Sequence, residues 1–344
     1  MSKPRLFYLD NLKAFAILAV IASHVNSFVF SNGGCFMNKA IDTFFMGTFF
    51  MVSGYLGHRA FTEKVSMRKF FEVKTYNLLI PLLVVGTIYV LCHDLATNGR
   101  ITVNPLLKMI TNGDQMGYWF LLTLFVFKIM ALITGVLTNT WNRMRCRTAA
   151  PLTQLLVFVL LGGVISVLST HIVGSNELWH MCFTGHILYY MLFYIAGAMM
   201  HRLNLFTKLQ QQDALIAVMF VLGIVLFVLY HFEDLGHPLL FITSYRMCIV
   251  VPLFVYFSKF IDKPIRRFTT FGIHSLELYV LHYFVIIGCS DYSAPWISEV
   301  SRLPFLFQLG INLIITYAIA AFTLSLARVV DNNSTMRTVV LGKL

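Results

Sequence analysis

Three side chains near the start of the chain, Asp10, Lys13 and His24, stand in the stretch YLDNLKAFAILAVIASHV and could do chemistry. An imidazole can take a proton from a hydroxyl near neutral pH, or accept a group as a nucleophile. At about 100° per residue Lys13 and His24 fall about 20° from one azimuth and roughly 16 Å apart along a helix axis, with Asp10 displaced by about 40°. One helix face thus carries an acid and a base at its edge and an imidazole deep in an apolar run. A histidine there either bonds a neighbouring helix for packing or faces a wet cavity as a functional group.

Other segments repeat the pattern. The run AIDTFFMGTFFMVSGYLG sets Asp42 and Ser53 on one helical face, although Ser53-Gly54 is also a small pair that lets helices approach closely. In FGIHSLELYVLHYFVI, Ser275, Tyr279 and His282 form one stripe, and Glu277 points elsewhere. Trp119 in GYWFLLTLF suits either an aromatic belt or stacking on a sugar ring. Lys128 and Arg246 are cations inside apolar runs, with structural, snorkelling and anion-binding roles all open.

The elements that must position these groups are membrane helices. Over 344 residues, 58% are hydrophobic and only 12% charged, outside the range of soluble globular chains. Apolar runs of about 20 residues recur along the whole length. The expected fold is all-α, a polytopic bundle of about ten spans near 8–30, 39–57, 77–97, 117–140, 151–171, 183–201, 213–231, 239–258, 271–289 and 304–327. One membrane domain over 1–344 is expected, with a short cytoplasmic tail from about 328. Most of the 26 lysines and arginines fall in the terminal segments and alternate loops, which places both termini in the cytoplasm.

The formal net charge of +11 follows from that topology, with attraction to anionic membrane lipids added, and not from a nucleic-acid partner. The first apolar run reads as a signal anchor without a cleavage site. Cys35, Cys92, Cys146, Cys182, Cys248 and Cys289 have no metal-ligand spacing and read as small hydrophobes, so no metal is expected. The segment HRAFTEKVSMRKFFEVK suits a helix lying in the membrane interface. Short outer loops leave a cavity between helices as the place for a substrate, in an enzyme or a transporter. Inverted repeats with interrupted helices, frequent in transporters, are not visible.

Taken in order, the motifs resemble the acyltransferase-3 family of membrane acyltransferases. Asp10, Lys13 and His24 match the first helix; FFMVSGYL with Ser53, Gly54 and Tyr55 matches the second. LLIP at Leu78 to Pro81, WFL at Trp119 to Leu121, LFYIAGA around Gly197 and SLELYVLH at Ser275 to His282 follow in family order. Lys13 stands where family members commonly carry arginine, and Asn77 where a second basic residue is expected.

The resemblance implies transfer of an acyl group, usually acetyl, from cytoplasmic acyl-CoA to a hydroxyl of an extracytoplasmic or lipid-linked sugar or polysaccharide. His24 would be the catalytic base or nucleophile. Asp10, Lys13, Arg68, Lys69 and Lys74 would bind the acyl-CoA, with Asp10 orienting a basic neighbour and lysine gripping phosphate without arginine's fork. Asp42, Ser53, Tyr55, Trp119, Arg246, Ser275, Glu277, Tyr279 and His282 would line the acceptor cavity. The enzyme would sit in the cytoplasmic membrane of the cell envelope, its oligomeric state open and a homo-oligomer included. With little chain after the last span, direct transfer or a separate partner protein is expected. The alternative class is a multi-pass exporter of a polysaccharide precursor or small molecule.

Overall fold

A computed structural model of the chain describes residues 5–61, 66–101, 104, 117–145, 151–173, 186–232, 239–290, 300 and 302–343; the side chains of Arg68 and Lys69 lie outside that description. Among the described residues every regular element is helical. In chain order these are α1 (Phe7–His24), α2 (Phe36–Asp42), α3 (Phe45–Gly57), α4 (Met67–Lys74), α5 (Ile80–Asn98), α6 (Trp119–Arg145), α7 (Pro151–Val173) and α8 (His186–Arg202). There follow α9 (Leu205–Leu209), α10 (Asp213–Phe232), α11 (Leu239–Phe260), α12 (Arg266–Ile273), α13 (Ser275–Ser290), α14 (Phe305–Asp331) and α15 (Ser334–Leu341). Two π-helical turns, Val25–Val29 and Thr75–Leu79, extend α1 and join α4 to α5.

Among the described residues, 7 helices are long and apolar enough to cross a membrane, and they coincide with seven of the expected spans. The other three expected spans correspond to shorter pieces. Among the described residues, 186–201 lie in the 17-residue α8, and 271–289 fall at the end of α12 and in the 16-residue α13. The run 39–57 is broken: α2 closes at Asp42, and a turn in which the Thr43 and Phe44 amides donate to the Ala40 and Ile41 carbonyls at 3.3 and 3.2 Å precedes α3. Asp42 and Ser53, expected on one helix, therefore stand on two.

The third span starts earlier than expected, running from Phe70 to Ala96. The segment ending at Lys74 thus leads straight into the membrane helix through the π-turn. Pro81 gives the reason, because its ring presses on the carbonyl four residues back, at Asn77, and the widened turn lies there. Asn77, with its amide turned to suit its neighbours, donates to the Gly342 carbonyl at 2.7 Å. The position where a second basic residue was expected thus holds the chain's end in place.

The chain divides into two compact units, one of Met1–Thr48 with Tyr256–Leu341 and one of Phe49–Val255 with Gly342–Leu344. In the first unit α1 is buried on nearly all sides and packs along α12, α13 and α14. Asn11 ties its start to the loop before α12, donating to the Ile261 and Lys263 carbonyls at 2.8 and 2.9 Å and accepting from Thr269 at 2.7 Å. Gly272 lets α12 close on α1, since a Cβ there would fall on the Asp10 carbonyl.

In the second unit Gly54, read as half of a small pair, meets a second glycine, Gly197, at a close helix crossing. A Cβ on Gly54 would collide with the Tyr194 carbonyl, and one on Gly197 with that of Met51, so α3 and α8 cross backbone to backbone. Phe127, Phe158 and Tyr194 fill the core beside that crossing, with Phe158 and Tyr194 stacked at 5.7 Å. Large apolar side chains such as Leu160, Val218 and Phe232 face outward, as a lipid-covered surface requires.

Candidate functional site

In the first unit, three rings meet near the end of α1. His24 is the last α-helical residue before the π-turn, and π-turns inside helices are frequent at functional sites. Its Nε2 lies 3.0 Å from the hydroxyl of Tyr283 on α13. The His24 imidazole stacks near that of His282, centroids 5.3 Å apart, and Tyr283 lies 4.8 Å from the first ring and 4.3 Å from the second.

The backbone sets the tautomer of His282. Its Nδ1 sits 2.9 Å from the Leu278 carbonyl and 2.8 Å from that of Tyr279. Carbonyl oxygens only accept, so Nδ1 is the protonated nitrogen and Nε2 presents a lone pair. That Nε2 is fully buried and has no hydrogen-bond partner among the described residues. Native structures seldom leave such a group unpaired without a reason. A half-buried imidazole, a phenol and a second imidazole of defined tautomer can accept, hold and return a proton.

An amide network fixes the π-turn beside His24. Asn26 donates to Asn38 at 2.8 Å, Asn312 donates to Asn26 at 2.8 Å and to the Ala22 carbonyl at 3.0 Å, and Asn38 donates to the Ser23 carbonyl at 3.2 Å. All three asparagines are buried. The expectations did not include them, although each interrupts or borders an apolar run. Tyr283 was also missed, because it stands one residue off the Ser275–Tyr279–His282 stripe.

Elsewhere in this unit, Asp10 accepts from Arg5 at 2.6 Å and from Lys13 at 2.9 Å. The acid that was expected to orient a basic neighbour therefore holds two. Ser275, Glu277 and Tyr279 are buried, and Glu277 meets Nδ1 of His274 at 3.3 Å. Asp42 is exposed at the end of α2.

In the second unit, a cavity of about 400 Å³ is lined by Ser53, Arg59, Lys74, Lys128 and Tyr194, with Phe70 at its wall. No acidic side chain lines it. Neither Lys74 nor Lys128 has a counter-ion among the described residues. Cations inside a membrane segment are costly unless compensated, which sets this chamber apart from the rest of the unit. Lys74 was expected to face an anion; for Lys128 an anion-binding role was one of three left open, and Arg59 was read only as part of a basic loop.

The remaining candidates of this unit form an aromatic wall. Trp119 stacks on His186 at 3.9 Å and on Tyr190 at 5.5 Å. Arg246 donates to the Tyr190 hydroxyl at 3.4 Å. Tyr55 packs edge-on to His201 and near Phe254. Among the described residues no three of His, Cys, Asp or Glu come together as metal ligands would.

Comparison with known proteins adds the family. The family model described as acyltransferase domain, acyltransferase-3, matches residues 6–327. The chain is also similar to glucans biosynthesis protein C of Escherichia coli O81 (strain ED1a), 24% identical over 355 residues and covering 90% of each chain. The same protein of Escherichia coli O139:H28 (strain E24377A / ETEC) and of strain K12 / DH10B shows the same identity and coverage. No solved structure matches significantly. With its motifs in family order and the family match running from α1 into α14, the chain belongs to the acyltransferase-3 family.

Proposed function

We propose that this protein is a membrane O-acyltransferase that moves an acyl group, acetyl, from cytoplasmic acyl-CoA to a hydroxyl of an extracytoplasmic or lipid-linked sugar. The single observation that carries the reading is the contact of His24 with Tyr283 and His282 within membrane helices of an acyltransferase-family chain. His24 takes the proton of the acceptor hydroxyl as its oxygen attacks the thioester carbon. The carbon–sulfur bond then breaks, and His24 returns the proton to the departing thiolate, so protons and electron pairs balance. Tyr283 holds the imidazole in register and offers a hydroxyl toward developing negative charge.

In the second unit Arg59, Lys74 and Lys128 would take phosphate groups of the donor. In the first, Lys13 is held by Asp10 and adds a point charge at the start of α1. The glucan acceptor class rests on the printed name of the Escherichia coli relatives. The cytoplasmic membrane with both termini inside rests on the distribution of lysine and arginine.

The test is thiol release from acetyl-CoA by the purified protein in lipid nanodiscs, with and without glucan oligosaccharides. Release that requires both the glucan and His24 supports the reading. Absence of release, with transport of the same glucan across proteoliposomes, would replace it with the exporter reading.

A further inference from the structure

The structure assigns to the first unit a binding site for one anionic glycerophospholipid, separate from the proposed reaction and independent of it. Two cavities on this unit share one residue, Tyr317 of α14. The first, about 410 Å³, is an apolar groove walled by Phe15 and Leu18 of α1, Ile41 of α2 and Leu309 and Leu313 of α14. The second, about 240 Å³, is lined by Arg267 and Thr270 of α12 and by Ser325 and Arg328 of α14. No acid lines either cavity.

The helical register explains the arrangement. Tyr317, Ala321, Leu324 and Arg328 follow the i, i+4, i+7, i+11 stripe of one α14 face, and Arg267, Thr270 and Phe271 the i, i+3, i+4 stripe of α12. The α14 stripe runs from apolar toward basic as it nears the helix end. Phe271 stands edge-on to Tyr317 at 5.9 Å and props the ring between the two cavities.

Donor arithmetic identifies the head of the ligand. Arg267 Nη1 donates to the Tyr317 hydroxyl at 3.2 Å, so that oxygen accepts and its own proton is left for another acceptor. Ser325 already gives its proton to the Ala321 carbonyl at 3.0 Å, and Thr270 gives its proton to the Arg266 carbonyl at 3.3 Å. Arg328 has no side-chain partner among the described residues. The Arg328 guanidinium, the remaining N–H groups of Arg267 and a phenol proton are therefore unspent donors, the set that a phosphate oxygen cluster accepts.

The attached apolar groove decides between a free phosphate and a lipid. A soluble anion has no use for a channel walled by leucine and phenylalanine, whereas an acyl chain fills it while the phosphate stays at the arginines. Leu313 is 54% exposed on the wall, so the groove opens to the bilayer from which the lipid would enter.

Native mass spectrometry of the full chain, released from nanodiscs of equal phosphatidylglycerol and phosphatidylcholine, tests the site. The wild type is expected to retain phosphatidylglycerol over phosphatidylcholine by about tenfold, and the Arg267→Gln/Arg328→Gln variant to lose that preference. Both arginines are exposed, so their removal leaves the fold intact. Leu313→Trp, which fills the groove without changing charge, lowers retention as well. Arg337→Gln on α15, outside both cavities, leaves retention unchanged. Equal retention of the two lipids, a double variant that retains phosphatidylglycerol like the wild type, or an equal loss in Arg337→Gln would overturn the site. Unchanged retention in Leu313→Trp, or displacement of the lipid by an equal concentration of glycerol 3-phosphate, would reduce it to a phosphate site and overturn the lipid assignment.

Discussion

The His24 site of the first unit and the basic cavity of the second solve opposite problems with polar groups inside a membrane protein. Around His24 polar atoms are matched except Nε2 of His282: Tyr283 meets Nε2 of His24, and asparagines hold the neighbouring turn to each other and to backbone carbonyls. In the second unit, Lys74 and Lys128 line one chamber with Arg59 and face no carboxylate there. A matched network is rigid and suits a group that must be aimed; an unmatched set of like charges is unstable alone and suits a group that must be filled. A π-turn also follows His24 in one region and Lys74 in the other.

The comparison predicts that the regions fail in different kinetic terms. His24→Ala, inserted and folded normally, should lower turnover by about 10²- to 10⁴-fold at saturating donor, the range of a lost general base. Thiol release by the purified variant checks this. Lys128→Gln should instead raise the apparent KM for the donor, by about tenfold or more, with turnover much less affected, because one charge-assisted phosphate contact is gone. A change confined to turnover would remove the cavity from donor binding.

Tyr283→Phe keeps the ring against both histidines and removes one hydroxyl. Turnover should fall by about tenfold, the worth of one hydrogen bond to a charged or charging partner. Unchanged turnover would leave Tyr283 as packing. The smallest kinetic effect is expected from Asn312→Leu, which acts on stability: Asn26 loses a buried donor and the Ala22 carbonyl loses its side-chain partner. The cost is about 1–3 kcal/mol, read as a lower unfolding temperature in detergent, with activity kept at low temperature.

Several of these groups were legible before the fold was known. His24, His282 and Lys128 stand out because an ionisable side chain in an apolar run is costly, and any sequence reader meets that cost. Seven spans were visible for the same reason, as the bilayer sets their length. The break after Asp42 was not, since apolar residues continue on both sides and the turn at Thr43 and Phe44 leaves no mark in the composition. Tyr283 was hidden because aromatics abound in this chain, and its contact joins residues 259 positions apart. The company of Lys128 was hidden likewise, for helical phase relates residues within one helix and says nothing of which helices share a cavity.

The most direct test of the central claim, that His24 performs the proton transfer, is the rate of thiol release from acetyl-CoA at saturating donor and glucan acceptor. It is measured in nanodiscs for the wild type, His24→Ala and Lys128→Gln side by side. The account predicts a loss of glucan-dependent release in His24→Ala that no donor concentration restores, and a loss in Lys128→Gln that higher donor concentration does restore. Wild-type turnover in a folded, membrane-inserted His24→Ala protein would contradict it.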